Sequence, residues 1–193
     1  MQDSIEFIYT GGRGNKDPMR SLGGDWGEQW SEQLITPLEK ILPLHEIISP
    51  HGPYRPGSTI YRAIGVTNIS KRTVYYVDAQ FAHDALGELE LKWAGKQYPG
   101  PIRLLRCGWA KEPVNTPPSP IKDEYQVPQG IIWNKPGKAV ALPEQHLRPG
   151  DVKGLWLKVT VPKTKRDLWD YDMVVLRISC AIPAEEAYGG VKL

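Results

Sequence analysis

The stretch from Leu147 to Cys180, LRPGDVKGLWLKVTVPKTKRDLWDYDMVVLRISC, constrains the fold of this chain more than any other. Leu155, Leu157, Val159 and Val161 take alternate positions, with Trp156, Lys158 and Thr160 between them, which is the period of a strand with one buried face. Val174, Leu176, Ile178 and Cys180 then share one face of a second run, and Met173, Val175, Arg177 and Ser179 the other. Upstream, Pro149 has a fixed φ and Gly150 tolerates a positive one, so Arg148-Pro149-Gly150-Asp151 has the chemistry of a type II turn. The two strands and their polar connection read as a hairpin. A hairpin that buries one face implies an all-β fold, an antiparallel β-sandwich of Ig-like or jelly-roll type with one short helix and long loops.

The remaining segments agree with that class. Ser4 to Tyr9 predicts a first strand, Ile60 to Val66 another, and Val74 to Phe81 a third with Tyr75, Val77, Ala79 and Phe81 on one face. Leu89, Leu91 and Trp93 alternate with Glu88, Glu90 and Lys92 as in a strand, and Ile102 to Trp109, Ile131 to Trp133 and Ala139 to Leu142 add more. The helix is expected at Thr36 to Leu42, with Thr36 as N-cap, Pro37 at the first helical position, Glu39 placed for a capping box and Pro43 as the stop. Glu112 to Gln129, with its PVNTPPSP core, reads as a long surface connection or an arm. The expected organisation is an amino-terminal strand and loop over residues 1–33, a sandwich over 34–182 and a tail over 183–193.

At 193 residues the chain can bury a sizeable core, and 19 Gly with 18 Pro imply frequent turns. A net charge of +2 with acids and bases interspersed offers no broad attraction to nucleic acid or anionic membrane. The amino terminus has no basic segment followed by an apolar run, so synthesis in a cytoplasm is expected. The two cysteines, Cys107 and Cys180, lie in apolar runs and read as unpaired buried thiols. Asn68-Ile69-Ser70 matches a glycosylation acceptor that means nothing without a signal peptide.

No chemistry-bearing motif stands out. His45, His51, His83 and His146 are scattered without metal-ligand spacing, and no GxSxG elbow occurs. Asp167, Asp170 and Asp172 cluster in DLWDYD but lack the order of a calcium loop. The expectation is therefore no catalytic residue, no cofactor and no metal. The segment Gly11 to Gly24 carries five glycines without phosphate-loop spacing, and Trp26 and Trp30 follow four residues apart, suiting one side of a short helix or an aromatic hook laid on a neighbouring surface. Gly11, Gly12, Asn15, Asp17, Pro18, Ser21, Leu22, Gly23, Gly24, Trp26 and Trp30 are the candidate interaction residues; the competing reading folds this loop back over its own sandwich.

Three segments resemble a family of small virion-associated proteins of tailed bacteriophages and prophages. The first is Gly11-Gly12 followed by Asn15, Asp17-Pro18 and Ser21-Leu22-Gly23-Gly24. The second is Gly57-Ser58-Thr59-Ile60-Tyr61-Arg62 leading to Val66-Thr67-Asn68, and the third is Leu147 to Ile178 with Trp156, Val159 to Pro162 and Arg177. The resemblance implies a structural part of the phage particle without settling which; the expected place is tail, baseplate or neck ahead of head decoration. The expected partners are other virion proteins and further copies of the chain in a homo-oligomer, with neither nucleic acid nor membrane engaged. The alternatives are a carbohydrate-binding module for host-surface attachment and, behind it, a cell-wall or capsule hydrolase.

Overall fold

The computed structural model describes residues 3–9, 28–34, 38–48, 54–68, 70–95, 100–116, 118–119 and 121–181. Along the chain the strands are β1 (Asp3–Tyr9), β2 (Glu28–Leu34), β3 (Leu38–Pro43), β4 (Thr59–Asn68), β5 (Val74–His83), β6 (Leu105–Ala110), β7 (Ile131–Trp133), β8 (Val140–Ala141), β9 (His146–Leu147), β10 (Val152–Thr160) and β11 (Val174–Ala181). The helices are α1 (Leu44–Ile47), α2 (Ala85–Ala94) and α3 (Lys165–Asp170), with 3₁₀ turns at Pro101–Leu104 and Tyr171–Met173. One sheet has the order β2-β1-β4-β10-β6-β7, and the other β3-β11-β5-β8 with β9 also on β5. Every pairing is antiparallel. The antiparallel β-sandwich that the alternation implies is the fold.

Its core is the set of inward residues that the period-two pattern marks. Ile60, Ile64 and Val66 of β4, Leu155, Leu157 and Val159 of β10, and Leu105, Cys107 and Trp109 of β6 come from the first sheet. Val77, Ala79 and Phe81 of β5 and Leu176, Ile178 and Cys180 of β11 come from the second. The Trp109 Nε1 donates to the Val140 carbonyl at 2.9 Å, so the bulkiest core side chain is also paired. Burying each such aliphatic or aromatic side chain contributes on the order of 1.5–3 kcal/mol.

Five expectations are corrected. The strands at 152–160 and 174–181 form no hairpin: β10 pairs with β4 and β6, whereas β11 pairs with β3 and β5 in the opposite sheet. Alternation defines the buried face of a strand but not its neighbour, and the connection with α3 is long enough to cross from sheet to sheet. The helix expected over Thr36 to Leu42 is strand β3 from Leu38 onward, paired residue for residue with β11 from Leu38↔Cys180 to Pro43↔Val175. Local capping chemistry is overridden there by sheet pairing, and the short helix α1 begins only after Pro43, the residue expected to end it.

The strand expected at Leu89 to Trp93 is helix α2. Asp84 caps it, its carboxylate accepting from the Gly87 N–H at 2.7 Å, and Gly95 leaves it at φ 81°. Ile102 to Leu104, read as strand, belongs to the 3₁₀ turn that precedes β6. In β5, Tyr75 departs from the face assigned to it. The pairing steps from Ser179↔Asp78 to Ala181↔Tyr75, which inserts one extra residue; Tyr76 takes φ 53° and turns outward, 79% exposed. Val74 and Val77, three apart, therefore both reach the core.

The turn at Arg148 to Asp151 is as expected, with Gly150 at φ 81° and the Asp151 N–H donating to the Arg148 carbonyl at 3.0 Å. Cys107 and Cys180 are buried, and no disulfide joins them.

Candidate functional site

Of the candidate interaction residues, Gly11, Gly12, Asn15, Asp17, Pro18, Ser21, Leu22, Gly23, Gly24 and Trp26 lie outside the described residues. Trp30 is in β2, opposite Phe7 of β1, so the short-helix reading of its neighbourhood is replaced by strand. Among the described residues the candidate surfaces lie elsewhere, beside the connection from 111 to 130 and on the helical end of the sandwich.

The connection from 111 to 130 is not an arm. It lies over the outer face of the first sheet, where Tyr61, Ala63, Ala110, Trp156 and Ile121 form a second buried cluster with Ile131 and Trp133 against it. Trp156, an outward residue by alternation, is thereby 1% exposed. Two cations on the inner face of the same sheet, Arg62 opposite Leu157 and Lys153 opposite Val66, are enclosed as well. Arg62, 2% exposed, pairs with Glu124 of the connection and donates from Nη2 to the Tyr54 hydroxyl at 2.7 Å. Lys153, 1% exposed, pairs with Glu144 and donates to the Glu112 carbonyl at 2.6 Å. Charges this deeply held need partners, because desolvation otherwise costs several kcal/mol.

Beside the Arg62–Glu124 pair opens a cleft of about 690 Å³, lined by Tyr54, Arg55, Ser58 and Tyr125. One rim is a tight turn in which both the N–H and the hydroxyl of Ser58 donate to the Arg55 carbonyl, at 3.0 and 2.6 Å. The other is a turn in which the Asp123 carboxylate accepts from the N–H groups of Tyr125 and Gln126, at 2.8 and 3.1 Å. Tyr61 N–H bonds the Glu124 carbonyl at 2.8 Å and anchors that turn to β4.

At the helical end, α2 packs through Gly87, where an added Cβ would lie 2.9 Å from the Met173 Cβ, and through Leu91, whose Cδ2 lies against Gly100. The opposite side of the same helix carries Leu86, Leu89 and Trp93 at spacings of three and four, exposed at 55%, 40% and 71%. These spacings place them on one stripe. Glu88 and Lys92, both exposed, flank it. Glu88 to Trp93 was assigned to a half-buried strand; as a helix it has two apolar sides, only one of which the domain covers.

The titratable groups of this end are built into the structure. Asp167, in the acidic cluster DLWDYD, is buried and accepts two bonds from Arg103 at 3.1 and 3.0 Å. It also closes a capping box with Thr164, side chain to side chain and N–H to hydroxyl, each at 3.0 Å. Asp170 pairs with Arg166 at 3.6 Å. Burial lowers the His83 pKa below its ordinary 6.5, against the pull of Asp170, Glu88 and Asp84. Burial pushes the Cys107 thiol up to about 12. Among the described residues no group of three His, Cys, Asp or Glu side chains is placed to hold a metal ion. No protein-family model, curated protein or solved structure matches the chain.

Proposed function

We propose that this protein is a structural component of a tailed-bacteriophage virion, located in tail, baseplate or neck rather than on the head, and that it acts through protein–protein assembly without a reaction of its own. The observation that carries this reading is the uncovered stripe of Leu86, Leu89 and Trp93 on α2. A Trp exposed at 71% beside two exposed leucines is a costly surface for a chain to keep unless a partner covers it. The phage-family resemblance of the Gly11 to Gly24, Gly57 to Asn68 and Leu147 to Ile178 segments supports the same reading.

The occupant of the stripe is a second copy of the chain. A two-fold axis near Leu89 lays Leu86 of one helix against Trp93 of the other and brings Glu88 of each copy alongside Lys92 of the other on one shared flank. The surface is self-complementary in charge as well as apolarity, as an isologous contact requires. Net charge of +2 sets no strong repulsion against it. Ten helical residues span about 15 Å, so the patch is smaller than the roughly 800 Å² per partner of a stable dimer. Isolated copies associate weakly, and the contact becomes effective when other contacts in the particle hold the copies together.

Leu86→Ser, Leu89→Ser and Trp93→Ser together are expected to leave a folded monomer and to abolish incorporation into particles. Glu88→Lys alone weakens self-association in sedimentation velocity at high concentration, and adding Lys92→Glu restores it. Normal incorporation of the triple variant contradicts the proposal, as does the absence of the chain from purified particles.

A further inference from the structure

We infer that the cleft lined by Tyr54, Arg55, Ser58 and Tyr125 binds a carboxylate-bearing sugar unit of an oligosaccharide. Its volume of about 690 Å³ lies in the range of small-ligand sites and far exceeds what a bare inorganic anion fills. Two tyrosines supply flat apolar surface with a polar tip, Tyr125 with half its area open to solvent. Arg55 is exposed and forms no ion pair among the described residues, so its planar fork is available to a carboxylate. Lys163 adds a second cation at the rim, its stem passing close over Gly57. The nearby acids are occupied: Glu124 pairs with Arg62, and Asp123 accepts from the Tyr125 and Gln126 amides.

The polar backing separates a sugar from an apolar ligand. Behind Tyr54 stands the buried Arg62, paired with the half-buried Glu124, and Arg62 holds the Tyr54 hydroxyl at 2.7 Å, so this wall is hydrogen-bonding and fixed. Both rims are closed by the turns at Arg55 to Ser58 and Asp123 to Gln126, which spares a ligand the cost of ordering them. The site is independent of the assembly reading, since it shares no residue with α2.

The test is calorimetric titration of the full chain with oligogalacturonate, with a neutral galactose oligomer of the same length and with inorganic phosphate. The acidic oligomer is expected to bind at least about tenfold more tightly than the neutral one, and phosphate not to displace it. Tyr125→Ala reduces binding of both oligomers at least about tenfold, while Arg55→Gln brings the acidic oligomer down to the level of the neutral one. Both side chains are exposed, so both variants melt with the wild type. Failure of either oligomer to bind overturns the inference. So do equal affinities for the two oligomers, displacement by phosphate, or binding that neither substitution changes.

Discussion

Lys153 sits at 1% exposure inside β10, held by Glu144 and the Glu112 carbonyl, and the arrangement predicts an asymmetry between its two partners. Lys153→Met replaces the buried charge with an apolar chain of similar volume and is expected to change stability by less than about 1 kcal/mol. Glu144→Ala leaves the ammonium buried with a carbonyl alone and is expected to cost about 3 kcal/mol. Urea unfolding of both variants measures the difference, and equal losses would contradict it. His83 supplies a pH dependence of fixed sign. Its folded pKa lies below 6.5 because burial disfavours the charged ring, so the unfolded chain binds the proton first as pH falls. Stability is full above the unfolded value and declines as pH drops through it toward the folded value. Urea midpoints at about pH 7.5 and about pH 5.5 should show that decline in the wild type and a smaller one in His83→Gln. At this scale the sequence was least legible. Asn68, read as an empty glycosylation match, is buried and donates to the Arg72 and Leu147 carbonyls at 2.7 and 2.9 Å, a role set by residues up to 79 positions away.

The elements show where alternation informs and where it stops. Inward faces of β4, β10 and β11 follow from period two because side chains on a strand cannot do otherwise, and the core contains the residues so marked. Pairing partners do not follow, since Leu155 to Val159 would alternate identically beside β11 or beside β4. Helix α2 reads as strand in sequence because Leu89, Leu91 and Trp93 alternate over so short a window, although as a helix Leu91 faces away from the other two; the signals that separate the readings are Asp84 as cap and Gly95 as stop. Sheet closeness gives a test of its own. At Gly108 of β6 an added Cβ would fall 2.6 Å from the Ile132 carbonyl oxygen and 2.7 Å from the Ile131 Cγ2. Gly108→Ala is thus expected to push β7 from the sheet edge and cost about 1–3 kcal/mol, read as lowered melting temperature with earlier proteolysis at Ile131–Trp133. An unchanged melting temperature would mean that β7 yields freely.

For the whole molecule, the crossings between sheets gather the helices at one end. The chain leaves β5 at His83 into α2, enters β6 from the 3₁₀ turn, and leaves β10 through α3 into β11. Arg103 to Asp167 and the Tyr171 hydroxyl to the Thr160 carbonyl, at 2.7 Å, tie these connections together. The strands thus form a closed core, and the uncovered apolar stripe stands on this helical end, where a neighbour can reach it without opening either sheet. That arrangement suits a subunit whose work is contact. The most direct test is a density map of purified phage particles carrying this chain. The account predicts repeated copies of the two-sheet sandwich in tail, baseplate or neck, with α2 of each copy against that of a neighbour. Particles that are complete without the chain would contradict it, as would copies whose Leu86, Leu89 and Trp93 all face solvent.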